Sequence, residues 1–195
     1  MIVVGTGCGP GLLTEEAISV LKTAEIVYGS KRAIEIVSPY LENSCEINFI
    51  EDYKKLKDLP PRSILLSTGD PMLAGLGNRG DRIIPGISSM QLAFSRLRLS
   101  LTNVSVVVAH GRDHLSANKQ CIEELGRNKI VFLITDPGYS IISFVNLAKE
   151  KFSGLTIALC ENLGYPEEVI SKGTLESPPI QNSDLFVVVI WDKSN

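Results

Sequence analysis

Three short loops gather the residues best suited to chemistry. The first, Gly5-Thr6-Gly7-Cys8-Gly9-Pro10-Gly11, lies between a β-branched apolar run and a helix start. Glycines there let the backbone turn sharply and bring its N–H groups close to a ligand. The second, Ser67-Thr68-Gly69-Asp70-Pro71-Met72-Leu73-Ala74-Gly75, also follows an apolar run. Its Asp70 carboxylate suits an amine or hydroxyl, at the place where parallel α/β sheets bind ligands. The third, Pro85-Gly86-Ile87-Ser88-Ser89, offers two hydroxyls and a helix N-terminus, a favourable seat for a carboxylate. Taken singly, the first loop also reads as a tight corner, the second as an Asp-Pro turn and the third as a capped helix start.

Several familiar sites are excluded. A dinucleotide fingerprint fails because the sixth position is Pro10 counted from Gly5 and Leu12 counted from Gly7. The acidic Glu25 opens the second run, whereas a ribose-binding acid follows it. No Gly-Lys-Ser/Thr completes a phosphate loop, and no Gly-x-Ser-x-Gly elbow holds a nucleophile. His110 and His114 stand four apart beside Asp113, but no third ligand follows at familiar spacing and Gly111 opposes a helix there, so no metal site is expected.

The elements that must position these loops read as short apolar strands at residues 2–4, 25–28, 46–50, 63–67, 82–84, 104–109, 129–135, 155–160 and 185–191. Runs this apolar suit strands covered on both faces. Between them lie helix signals. Thr14 caps a first turn holding Glu15 and Glu16, Ser88 with Gln91 forms a capping box, and Ile141, Ile142, Val145 and Ala148 recur at helical spacing. The strand–helix–strand order predicts an α/β chain with largely parallel sheets. A polar step at residues 100–103 sets the expected boundary, giving lobes 1–101 and 102–195.

Composition narrows the classes further. The 195 residues carry 19 Lys and Arg against 22 Asp and Glu, a net charge of −3, so a nucleic-acid footprint over the whole surface is not expected. With 44% hydrophobic residues the chain has ample apolar surface to fold. The longest apolar run, residues 185–191, falls far short of the ~20 residues that span a bilayer. No basic leader opens the chain, and four scattered cysteines fit a reducing cytoplasm, so no membrane or secreted location is expected.

Together the motifs Gly-x-Gly-Pro-Gly, Gly69-Asp70-Pro71-Met72 and Pro85-Gly86-Ile87-Ser88-Ser89 with Gln91-Leu92-Ala93-Phe94 resemble the tetrapyrrole methylase family. His110-Gly111-Arg112 and Glu161-Asn162-Leu163-Gly164-Tyr165-Pro166-Glu167-Glu168 look most like its branch acting at C5 of a corrin precursor. The resemblance implies two α/β lobes with S-adenosylmethionine (SAM) between them as methyl donor, a cobalt-precorrin as acceptor in cobalamin biosynthesis, and a homodimer. It also implies cooperation with a separate C15-methylating decarboxylase.

By motif, Gly69, Asp70, Met72, Leu73, Ser88, Ser89, Thr135, Asp136, Asn162 and Leu163 are implied to bind the donor. Gly7, Gly9, Pro10 and Gly11 are implied to shape the floor for the tetrapyrrole. A polycarboxylate acceptor needs local cations, for which Arg112, Arg79 and Arg82 are candidates, and His110 is the candidate base. The competing expectations are another ring position, a non-corrin acceptor such as diphthine, a non-catalytic SAM- or tetrapyrrole-binding module, and a nicotinamide oxidoreductase.

Overall fold

A computed structural model describes residues 1–50, 52–60 and 62–192. The chain divides into two compact units, Met1–Ser89 and Met90–Asn195. Each is built on a five-stranded sheet.

The first unit holds strands β1 (Ile2–Gly5), β2 (Ile26–Gly29), β3 (Glu46–Phe49), β4 (Ile64–Ser67) and β5 (Arg82–Ile84) in the order β3-β2-β4-β1-β5. Every described pairing in it is parallel. Two helices, α1 (Glu15–Leu21) and α2 (Lys31–Val37), cross between strands. Each starts on a hydroxyl cap: Thr14 Oγ1 accepts the Ala17 N–H at 3.2 Å, and Ser30 Oγ accepts the Ala33 N–H at 3.2 Å. Val4, Leu66 and Ile84 pack with Ala17, Leu21 and Ala33, while Val3 and Leu65 face the other way onto Leu56. Both sheet faces are therefore covered, which is why these strands read as unbroken apolar runs. Parallel order also opens the carboxyl ends of β4, β1 and β5, neighbours in the sheet, on one edge.

In the second unit, α3 (Ser89–Leu97) leads to β6 (Val104–Val108), α4 (His114–Gly126), β7 (Ile130–Ile134), α5 (Ile141–Ala148), β8 (Leu155–Glu161), β9 (Val169–Thr174) and β10 (Phe186–Asp192). The order is β6-β7-β10-β8-β9, and only β6 with β7 is parallel among the described pairings. The expectation of largely parallel sheets thus holds for the first unit and not the second. The reason is local: β8, β9 and β10 are joined without helices, and such short returns run antiparallel.

Because β10 opposes both β7 and β8, strands β6, β7 and β8 point the same way. Val107, Val131, Leu133, Ile157 and Val188 form a core with α4 and α5. On α3, the buried Phe94 ring meets Phe132 edge-on, with centroids 6.3 Å apart and planes at 61°. This packing places α3 in the second unit. The division falls after Ser89 and not at residue 101, because the polar step at 100–103 is only the turn (Leu101–Asn103) ahead of β6. No described helix is long and apolar enough to cross a membrane.

Candidate active site

In the first unit, the three motif loops interlock through their backbones. Thr6 N–H donates to Ser67 O at 2.9 Å. Gly7 N–H donates to Gly69 O at 3.2 Å, and Gly69 N–H returns to Gly7 O at 2.8 Å. Cys8 N–H donates to Ile87 O at 2.9 Å, and Ile87 N–H to Leu12 O at 3.3 Å. Gly86 sits where no side chain fits, since a Cβ there lies 2.4 Å from Gly69 O and 2.8 Å from both Gly5 C and Gly7 N. Gly7 takes φ +73°, a conformation that glycine adopts without steric cost.

Asp70 ties the second loop to the third. One carboxylate oxygen accepts the Met72 N–H at 2.8 Å and the other the Gly86 N–H at 3.3 Å. Its carboxylate therefore braces the cradle and remains half-exposed at its lip. Met72 is 61% exposed, Leu73 is half-buried, and Ser88 is buried just ahead of α3.

In the second unit, the remaining motif residues collect at one edge, the carboxyl ends of β6, β7 and β8. His110 N–H and Ala109 N–H both donate to Ile134 O, at 3.2 and 2.8 Å, and Arg112 N–H closes a turn on Ala109 O at 3.0 Å. The His110 and Arg112 side chains are exposed. Thr135 is spent on structure, its hydroxyl donating to Phe186 O at 2.6 Å. Asp136 accepts from Gly111 N–H at 3.2 Å, Gly138 N–H at 3.0 Å and His114 Nε2 at 3.1 Å. These donors, the His114 ring first, hold its carboxyl below the ordinary carboxylate range. An ionised carboxylate only accepts, so His114 carries its proton on Nε2.

The third loop of this edge is anchored by a buried acid. Glu161 is 2% exposed, and one of its oxygens accepts the N–H groups of Asn182 and Ser183, each at 2.6 Å. Ser183 Oγ donates to Asn162 Oδ1 at 2.8 Å, and Asn162 N–H donates to Leu185 O at 2.9 Å. Asn162 takes φ +50°, and Leu163 is buried beside it. Glu168 accepts from Arg96 Nε at 2.6 Å and from Gly164 N–H at 2.8 Å, so α3 and this loop share one carboxylate.

Each unit thus brings its own motif residues to one sheet edge. The arginines divide. Arg82 lies at the amino end of β5, paired with Glu16 at 2.7 Å, away from the edge that holds the glycine cradle. Arg79 is exposed in the short turn before β5. Sequence reasoning weighed His114 only as half of a dismissed metal pair, took Glu161 only as the first residue of its motif, and passed over Asn118. The signal for His114 was present: Asp113 caps α4 through the Leu115 and Ser116 N–H groups, so the helix disfavoured by Gly111 begins three residues later.

The sequence profile of the Tetrapyrrole (Corrin/Porphyrin) Methylases matches residues 1–179. The chain belongs to the tetrapyrrole methylase family. This methylase is 30% identical to the probable cobalt-precorrin-7 C(5)-methyltransferase of Methanocaldococcus jannaschii, over 94% of the chain and 93% of that relative. The crystal structure of precorrin-6Y methylase from Archaeoglobus fulgidus matches it with a TM-score of 0.76 and 26% identity, covering 99% of this chain and 98% of the other. Uroporphyrin-III C-methyltransferase from Thermus thermophilus, crystallised with S-adenosylhomocysteine, shares the fold at 18% identity and a TM-score of 0.73, covering 97% and 96%. The chain is accordingly a methyltransferase of a family whose members use SAM as methyl donor.

Proposed function

We propose that this methylase transfers a methyl group from SAM to C5 of cobalt-precorrin-7, giving cobalt-precorrin-8 in cobalamin biosynthesis. The observation that carries the reading is the match along 94% of the chain to a probable cobalt-precorrin-7 C(5)-methyltransferase.

The cradle fits such a donor chemically. Its surface is backbone, Asp70 presents a half-exposed carboxylate to an ammonium or hydroxyl, and Ser88 and Ser89 stand at the N-terminus of α3, where a carboxylate is favoured. When bound, SAM supplies an electrophilic methyl on a sulfonium. The proposed donor set is Gly69, Asp70, Met72, Leu73, Ser88 and Ser89 with Asn162 and Leu163. Thr135 and Asp136 contribute through the loop they open, since both side chains are already engaged.

The residues at 7–11 are proposed to shape the tetrapyrrole floor, Arg112 to grip a carboxylate, and His110 to serve as base for proton transfer at the ring. No covalent nucleophile is required of the protein. Its task is alignment, which supplies up to ~7–11 kcal/mol of barrier reduction. On family resemblance the enzyme acts in the cytoplasm as a homodimer, with C15 methylation and decarboxylation left to a separate enzyme.

The test is incubation of the purified protein with methyl-labelled SAM and cobalt-precorrin-7. Label on C5 of the tetrapyrrole supports the reading, and label on another ring carbon overturns the C5 assignment. Donor binding with no transfer to any tetrapyrrole assigns a non-catalytic module and overturns it.

A further inference from the structure

We infer that His114 and Asp136 form a brace that aims Arg112, making His114 a positioning residue for a carboxylate of the tetrapyrrole. The inference rests on the reading of Arg112 above. A single histidine–carboxylate hydrogen bond near the surface has little energetic worth on its own, but this one is a junction. Asp136 accepts from three separate segments: the 109–112 turn through Gly111, the first residue of α4 through His114, and the β7–α5 loop through Gly138.

The turn closes on itself through Arg112 N–H to Ala109 O at 3.0 Å, and Asp136 is the side chain that ties its middle residue to α4 and to the β7–α5 loop. Gly111 takes φ +66° with open space around a built Cβ, so its amide is held by direction and not by packing. Arg112 follows it directly. Behind the brace a polar chain runs from the buried Tyr139 and Asn118 out to the exposed Ser143. The His114 ring meets Tyr139 edge-on, with centroids 5.4 Å apart and planes at 68°. Tyr139, 3% exposed, donates its hydroxyl to Asn118 Oδ1 at 2.7 Å, and the fully buried Asn118 donates to Ser143 Oγ at 3.3 Å. Asn118 lies one helical turn beyond His114 on α4. The imidazole is thereby held from behind, so that its Nε2–H meets Asp136 and fixes where the carboxylate can receive Gly111. Packed against the buried Tyr139, His114 is not a free surface histidine, and its fixed ring suits a turn whose next side chain must point one way.

The experiment is a double-mutant cycle on the full chain. His114→Ala should raise KM for cobalt-precorrin-7 about fivefold, the worth of one such hydrogen bond, with kcat and S-adenosylhomocysteine affinity unchanged. His114→Gln, which keeps a donor at the same reach, should restore the wild-type KM. Arg112→Ala/His114→Ala should be no worse than Arg112→Ala alone. Amide exchange across residues 109–112 should quicken in His114→Ala and not in His114→Gln.

Additive effects in the cycle, an equal loss of S-adenosylhomocysteine affinity, or a lowered kcat with an altered pH profile that Gln fails to rescue would each overturn the brace. Wild-type turnover tests the function separately. If the wild type is inactive on cobalt-precorrin-7 but binds uroporphyrin III in an absorbance titration, the cycle is read on that ligand. If it binds neither, both readings fall.

Discussion

Gly86→Ala probes the interlocked cradle most sharply. The added Cβ would stand 2.4 Å from Gly69 O and 2.8 Å from Gly5 C and Gly7 N, all backbone atoms that no rotamer change can move. Ordinary contact starts at 3.4 Å, so the loops after β1, β4 and β5 must part by about 1 Å. Overpacking on this scale costs about 2 kcal/mol, which lowers Tm by roughly 4–8 °C in a chain of this size. The same spreading pulls Asp70 from the Gly86 N–H and shifts the start of α3. A misplacement near 1 Å costs up to ~100-fold in transfer rate, and losing a cradle hydrogen bond lowers S-adenosylhomocysteine affinity by about tenfold. Thermal unfolding and calorimetric titration read the two effects. Gly126→Ala is the control: it has open space at the end of α4, so it should leave affinity unchanged. A folded Gly86→Ala protein with wild-type affinity would refute the view that this apposition builds the donor site.

Glu161→Gln keeps the shape of the buried anchor but loses its charge. It should cost about 1 kcal/mol in denaturant titration and weaken S-adenosylhomocysteine severalfold through the Asn162 loop; equal affinity would remove that loop from the site. Tyr139→Phe leaves a buried Asn118 oxygen without its donor and should cost about 1–3 kcal/mol in denaturant titration. Cys121 and Cys160 are buried, and burial pushes each thiol up to about 12, so iodoacetamide at neutral pH should label Cys45 first and these two only on unfolding, as read by mass spectrometry. Asp136 titrates below its unfolded value, so its contribution is fully present above the ordinary carboxylate value of about 4 and is lost as pH falls through the lowered one. Protection of the Gly111 amide, corrected for intrinsic exchange, should therefore hold from neutral pH down to about 4 and vanish only in stronger acid; loss at a higher pH would assign the clamp to another group.

The readable parts of the chain were those where one local signal sufficed. Buried apolar runs gave away β1, β4 and β7, and Thr14 announced α1. The loop motifs were visible because close backbone approach demands glycine, as at Gly86. What stayed hidden depended on long-range partners. β9 (Val169–Thr174) has no apolar run, because among the described pairings it is an edge strand paired with β8 alone. α4 was obscured by Gly111, whose open φ serves the turn ahead of the Asp113 cap. His110 attracted the base assignment because it follows a strand, yet the imidazole held by a carboxylate is His114, and that pairing needs Asp136 brought 22 residues back by β7. Arg82 looked free until Glu16, 66 residues away, was placed beside it. The boundary moved for the same reason: Phe94 and Phe132 meet only in the folded chain.

The central claim is methyl transfer to C5, and regiochemistry tests it most directly. The protein is incubated with cobalt-precorrin-7 and SAM carrying a ¹³C-methyl group, and the product is mapped by NMR. The account predicts one new labelled methyl, on C5. A labelled methyl on any other ring carbon, or an unlabelled tetrapyrrole beside a protein that binds SAM, would contradict it.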